Sequence, residues 1–484
     1  MSAQALTKSE KIRYINIAVV LLLMFGFRYL PTFSTLTPTG MHVLGIFIGV
    51  VYGWSTIDLI WPSFFAVISM SFVEGYDLNS VVAGGFGSST FWIIFFMLLF
   101  VMVFDRFGGT KFVAVWFITR KILHGKPILF NFVFLFAAML IGMLNGIAAC
   151  ILFYSILFQI CDQVGYAKRS KYPVLMMFGI TFVAMFGSIS HSLLGTPLIL
   201  ANAFTAASGI VISLTDFLKV CWPFSVFLAL VYSLAMKYVF RCDLKPLAEV
   251  KIEEIVNMDS LKMTPQLKVT FVFVVLLVLG IAGGAMLPAT MVLQQVLNKL
   301  GLLGISIILL GIMTYVKVKG TYLFDFRQLV ETTQWDCLFI CAVVMPMSTM
   351  LTMEGTGIDT FISSILGDKL AALPPTAFVA AVLFLGVVLT NFGNNASICV
   401  LLMPVILSAC ATSGLDPVPV YMCMIFAVHL AMLTPGACPY AALVWGDTEN
   451  MTPKLIYKFV PPIMLIFYVC IIFVLYNWAK LMLG

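Results

Sequence analysis

The chain has 484 residues, of which 62% are hydrophobic and 10% charged, with a net charge of +6 and a mean hydropathy of +1.09. A soluble domain carries about 25% charged residues, so a water-soluble globule is excluded, and the small basic excess fits cytoplasmic loops of a membrane protein better than a nucleic-acid surface. The apolar residues run in uninterrupted blocks, among them 17–25, 91–104, 271–279 and 463–476. Over roughly 20 residues only a helix satisfies its own backbone in lipid, and the alternation that β-barrel strands need does not occur.

Lys8, Lys11 and Arg13 precede a long apolar segment with no small-residue cleavage site, which reads as a first transmembrane helix rather than a signal peptide. In chain order the spacing predicts spans over 15–33, 39–55, 57–73, 89–105, 173–207 (interrupted), 216–240, 267–287, 300–316, 335–353, 418–446 (interrupted) and 457–479. Two further apolar stretches, 127–163 and 374–413, are too long for one crossing and carry a polar kink near the middle. A polar linker at 241–266 separates two halves of similar hydropathy. Reading both long stretches as re-entrant hairpins, with a cytoplasmic N-terminus and the C-terminus outside, puts all but Arg28, Lys219, Lys299, Lys369 and Lys480 of the 27 lysines and arginines on the cytoplasmic side. That is the bias of the positive-inside rule, and making either hairpin a full crossing destroys it.

The first hairpin tip reads Gly142-Met143-Leu144-Asn145-Gly146 and the second Thr390-Asn391-Phe392-Gly393-Asn394-Asn395-Ala396. Such residues end helices, and bare backbone at that depth is tolerated only around a cavity or inside protein. Each hairpin is followed by a helix containing a histidine and a Thr-Pro step: His191 and Thr196-Pro197, then His429 and Thr434-Pro435, with the same five-residue interval. Proline should open both helices at that step. Trp92 and Trp335 precede the two steps at similar intervals. The units 39–240 and 267–484 therefore form an inverted repeat after an N-terminal helix at 1–38, the architecture of many secondary transporters. In all, the fold expected is all-α and polytopic, with 11 transmembrane helices, two re-entrant hairpins and two broken helices. Half-helix N-termini suit an anion and unwound carbonyls a cation such as Na⁺. The apolar blocks around the tips hold no Asp or Glu, so backbone-bound Na⁺ is favoured over a carboxylate proton relay.

At these residues the sequence resembles the divalent anion/sodium symporter family of the ion-transporter superfamily, over nearly the whole chain. That family carries Ser-Asn-Thr at each hairpin tip. Here the matching triplets are Leu144-Asn145-Gly146 and Asn394-Asn395-Ala396, with the central asparagine kept and the hydroxyls gone, while Asn391 and Asn394 offer extra amides. The family's Gly-Thr-Pro loop appears as Gly195-Thr196-Pro197. The resemblance implies Na⁺-coupled symport of a small organic anion such as a C4-dicarboxylate, through the cell membrane, by an elevator-like homodimer. Substrate contacts are expected from Asn145, Gly146, Asn394, Asn395, Ala396, Thr196, Pro197, Thr434, Pro435, His191 and His429. Na⁺ contacts are expected from Leu144, Asn145, Gly195, Asn391, Asn395 and Thr434.

A cation/proton antiporter of the same superfamily, using His191 and His429, stays open as an alternative, as does an anion or arsenite channel-like permease. An enzyme is disfavoured, because no HExxH cluster or embedded acid/base pair occurs. The 11 cysteines, scattered without a CxxC, read as small buried residues. The stretch 106–126 reads as an interfacial helix, and Gly84-Gly85-Phe86-Gly87 as a turn.

Overall fold

In the computed structural model, residues 8–193, 195–249, 262–288, 290–351, 353–362, 373–435 and 437–483 are described. The linker charges Lys251, Glu253, Glu254 and Asp259, the outer-side Lys369, and Leu194 and Gly436 beside the two Thr-Pro steps lie outside the described residues.

The first half is built from α1 (Lys8–Leu21), α2 (Pro38–Thr56), α3 (Trp61–Met70), α4 (Leu78–Gly84), α5 (Ser89–Arg106), α6 (Gly109–Ile118), α7 (Pro127–Val164), α8 (Lys171–Ser188), α9 (Gly195–Ser208) and α10 (Leu214–Tyr238). The second contains α11 (Pro265–Met286), α12 (Val292–Tyr315), α13 (Phe326–Glu331), α14 (Trp335–Leu351), α15 (Ile358–Ile362), α16 (Pro375–Thr390), α17 (Asn395–Ser413), α18 (Pro417–Val428), α19 (Pro439–Gly446), α20 (Pro453–Cys470) and α21 (Tyr476–Leu483). Among the described residues, eight helical segments are long and apolar enough to cross a membrane, and shorter apolar helices accompany them. Prolines stand in the first turn of α2, α7, α11, α16, α18, α19 and α20, where a missing N–H costs nothing.

Two local expectations are corrected. Lys317–Val318 pairs antiparallel with Thr321–Tyr322, a small β-hairpin within the otherwise helical chain. Its turn residues, Lys319 and Gly320, both have positive φ, the requirement of a tight two-residue hairpin turn. The expected 300–316 span starts earlier, at Val292, and is interrupted at Gly301 (φ 57°, ψ −168°), a conformation open to glycine.

The two long stretches do not run straight. Phe134 and Phe153 meet edge to face with ring centroids 5.0 Å apart, whereas a continuous helix would separate them by roughly 28 Å at 1.5 Å per residue. The reversal falls at Asn145, whose φ −154° and ψ 103° leave the helical region and divide α7 into two arms. In the second half, a β-carbon on Gly386 would stand 3.5 Å from Leu402, so α16 and α17 likewise fold back across 391–394. In each half a folded-back helix is thus followed by an interrupted one, α8–α9 and then α18–α19.

The interrupted helices form the centre. Tyr172 to Gly187 of α8 and Pro419 to Val428 of α18 are buried all round, the pattern of a helix surrounded by protein. Small residues let the backbones close up: a β-carbon on Gly187 would collide with the Met139 carbonyl, and one on Gly142 with that of Ala184. The halves interlock through aromatic rings: Phe186 lies 5.7 Å from Phe426 and 5.1 Å from Phe467, and Phe204 stacks on Tyr421 at 4.4 Å.

The breaks differ in detail from expectation. The first lies between Ser188 and Gly195, so Thr196 and Pro197 sit in the opening turn of α9 instead of at the gap. The reason is the same missing N–H, which the first turn of a helix does not need. The second lies between Val428 and Pro439 and does contain Thr434 and Pro435.

Candidate functional site

Each fold-back tip is held by an asparagine acting as a helix cap. Asn145 Oδ1 accepts the Ala148 N–H at 3.1 Å, starting the second arm of α7. Asn394 Oδ1 accepts from the Ala396 and Ser397 N–H groups at 3.0 and 3.4 Å, starting α17. Beside it, the Thr390 hydroxyl lies 2.8 Å from Asn395 Oδ1 and 2.6 Å from the Val428 carbonyl, joining the second tip to the end of α18.

Asn391 forms a clamp across the second break. Its Nδ2 donates to the Val387 and Leu430 carbonyls at 2.7 and 3.0 Å, and its Oδ1 accepts from the N–H groups of Met432 and Leu433 at 3.0 and 2.8 Å. The Thr434 hydroxyl donates to the Asn391 carbonyl at 2.5 Å. Every hydrogen-bonding direction of this amide is used within the protein, the condition under which a buried polar group is stable.

The two histidines, matched in sequence, take opposite tautomers. His191 Nε2 donates to the Met143 carbonyl at 2.8 Å and Nδ1 accepts the Leu193 N–H at 3.2 Å, so both nitrogens tie the first break to the first tip. His429 instead donates from Nδ1 to the Ile425 carbonyl at 2.6 Å. A carbonyl can only accept, so Nδ1 carries the proton.

A cavity of about 570 Å³ opens between these parts, within the usual range for ligand sites. Its wall takes in the first tip from Gly142 to Ile147, then Gly195, Thr196 and Pro197, then Asn394, Asn395 and Ala396, and His429, Cys438, Pro439 and Tyr440. Four helix N-termini therefore face it: the second arm of α7, α9, α17 and α19. No lysine or arginine is among the described residues lining it, and the one charged group there is Asp336, exposed at the start of α14. Converging helix N-termini present main-chain N–H groups and partial positive charge, a setting for an anion without a buried cation. Leu59, Leu98, Val101, Met102, Ile199, Trp335 and Ile340 supply most of its apolar remainder.

Of the residues singled out from sequence, Leu144, Asn145, Gly146, Gly195, Thr196, Pro197, Asn394, Asn395, Ala396 and His429 come together on this cavity. His191, Asn391, Thr434 and Pro435 do not line it; the first three are engaged in the struts just described, and Pro435 is exposed. Sequence reasoning missed Tyr440, whose phenol donates to Ser188 Oγ at 3.3 Å and lies over Gly146. It also missed Cys438, the cap of α19. The signal available was Pro439, a proline marking a new helix start inside a stretch read as one broken span.

The citrate transporter family (CitMHS) matches residues 9–407, a region that includes both tips, the first break and α1 to α16 with most of α17. An uncharacterized transporter of Haemophilus influenzae is 22% identical over 331 residues, 67% of each chain. The uncharacterized transporter YfbS of Escherichia coli is 23% identical over 150 residues, which is 31% of this chain and 24% of that protein.

Proposed function

Given that the chain belongs to the citrate transporter family, and is thus a multi-pass membrane transporter and not an enzyme, we propose that it carries a small organic anion by secondary active transport coupled to Na⁺. The observation that carries this reading is the convergence of four helix N-termini on one cavity whose described lining holds no basic side chain. The anion is a carboxylate of the C4-dicarboxylate or tricarboxylate class. The family's printed name supports a carboxylate, and the resemblance to divalent anion/sodium symporters supports the same chemistry.

In this reading the fold-backs of α7 and α16–α17 are re-entrant hairpins, and 39–240 and 267–484 are inverted repeats within an 11-span protein. Asn145, Gly146, Thr196, Asn394, Asn395 and Ala396 contact the anion with N–H groups and amides, and Pro197 closes the same wall by apolar contact. The oxygens of Leu144, Asn145, Gly195 and Asn395 have the chemistry that Na⁺ takes. Asn391 and Thr434 act one step back, holding the second tip against its break. Alternating access follows from moving this cavity as a unit within a homodimer, N-terminus inside the cell.

The test is uptake of labelled citrate and succinate into proteoliposomes under an inward Na⁺ gradient, against K⁺ and proton gradients. Accumulation that follows Na⁺ is expected. Uptake indifferent to Na⁺ rejects the coupling ion, and dye-reported proton flux driven by Na⁺ without organic substrate replaces symport with exchange.

A further inference from the structure

The Ile425 carbonyl sits in the last turn of α18, where main-chain donors run out: the His429 N–H goes to Phe426 at 3.1 Å and the Leu430 N–H to Ala427 at 3.0 Å. His429 Nδ1–H fills the place of the missing donor. This fixes more than a ring position. With the proton held on Nδ1, the neutral ring's other nitrogen, Nε2, is a bare acceptor. His429 is 4% exposed and is one of the residues of the cavity wall. Nε2 has no protein partner among the described residues, and no carboxylate there is bonded to the ring to hold it as imidazolium. The other titratable groups on the wall are Asp336, Cys337, Cys438 and Tyr440. The thiol of Cys438 donates to the Ala431 carbonyl and the phenol of Tyr440 to Ser188.

An acceptor among four sets of N–H donors cannot serve a carboxylate, which only accepts. It can serve a hydroxyl. We propose that His429 Nε2 accepts a hydrogen bond from a hydroxyl group of the transported anion, so that the site selects hydroxy-carboxylates over their deoxy counterparts. His191, its sequence counterpart, has both nitrogens bonded to the main chain and takes no part. The inference rests on the carboxylate reading above and adds the chemistry that reading leaves open. A site built to bond a substrate hydroxyl rejects the analogue without it, because the buried acceptor is then left unpaired.

The experiment compares pairs differing by one hydroxyl, citrate with tricarballylate and malate with succinate, by calorimetry on the purified protein and by competition for uptake in proteoliposomes. The wild-type protein is expected to bind the hydroxylated member about tenfold or more tightly than its partner. In His429→Leu that ratio should fall to near one, chiefly by weakening the hydroxylated member. His429→Gln, whose side-chain carbonyl can still accept, should keep part of the preference, and serves if the leucine variant does not fold. Equal binding within each pair by the wild-type protein overturns this inference alone. A preference that survives in both variants overturns it too, since another group must then read the hydroxyl. A uniform loss of all four carboxylates in His429→Leu, with the ratio unchanged, shows a cationic grip on carboxylate instead. Binding of none of the four overturns the carboxylate reading itself.

Discussion

Tyr440, from α19 near the end of the chain, lies over Gly146 at the tip of α7 so closely that a β-carbon there would overlap the phenol oxygen. The contact joins the two halves at the cavity wall, since Tyr440 also bonds Ser188 at the end of α8. Gly146→Ala is therefore expected to push the phenol off Ser188 and to lower transport at least tenfold, a loss of about 1.4 kcal/mol or more in transition-state terms. Adding Tyr440→Phe removes the overlapping oxygen and should restore part of the rate. Uptake by the single and double variants checks it; an unaffected Gly146→Ala protein would remove Tyr440 from the site.

Asn145 and Asn395 line the cavity, one in each tip, and both can be cut back without orphaning a large network. Asn145→Ala and Asn395→Ala should abolish uptake while expression and melting temperature stay near wild type. The Asn145 cap and the Thr390–Asn395 hydrogen bond that they remove are worth about 1 kcal/mol each. Melting in detergent alongside uptake separates loss of function from loss of fold.

Asn391→Ala should behave in the opposite way. It strands the N–H groups of Met432 and Leu433 and the Leu430 carbonyl, at about 1–3 kcal/mol for each orphaned group. The variant is expected to melt well below wild type and to express poorly. If Asn391→Ala melts normally and only Na⁺ dependence changes, its amide is an ion ligand and not a clamp.

On the surface, Lys168 pairs with Glu449, and Arg169 donates to the Glu449 and Thr448 carbonyls at 3.0 and 2.7 Å, linking the loop before α8 to the one after α19. The bond and charge of Lys168 hold the Glu449 carboxyl below its ordinary 4.5, and Glu449 raises Lys168 above 10.5. A depressed acid stabilises the fold above its unfolded value and loses that contribution as pH falls through the folded one; a raised lysine loses its share only as pH rises past 10.5. The melting difference between wild type and Glu449→Gln should thus be small and flat across neutral pH and shrink below about pH 4.5 and in high salt, the behaviour of an exposed pair. A difference that grows in acid contradicts the pairing.

The fold was legible in the sequence wherever a local rule acts. Asn145 at the tip of a 38-residue helix, the prolines at helix starts and the repeated histidine-to-threonine interval all marked real interruptions. What failed locally was the exact gap: Thr196-Pro197 looked like a breaker and is a helix start, because proline is unfavourable inside a helix and harmless in its first turn. The cavity wall was legible at its tips and not at Tyr440 or Cys438, which reach it from a second helix start, marked by Pro439, inside a stretch read as one interrupted span.

Hydropathy alone settled that this chain lives in a bilayer as helices, and local chain-breaking residues settled where those helices stop, since both are properties of neighbours along the chain. Which member of each matched pair meets the solute was decided only by packing. His191 bonds Met143 from another helix and His429 bonds its own; Asn391 is consumed by the second break and Asn395 faces the cavity. Those outcomes depend on contacts between segments tens of residues apart, about which periodicity and propensity carry no information.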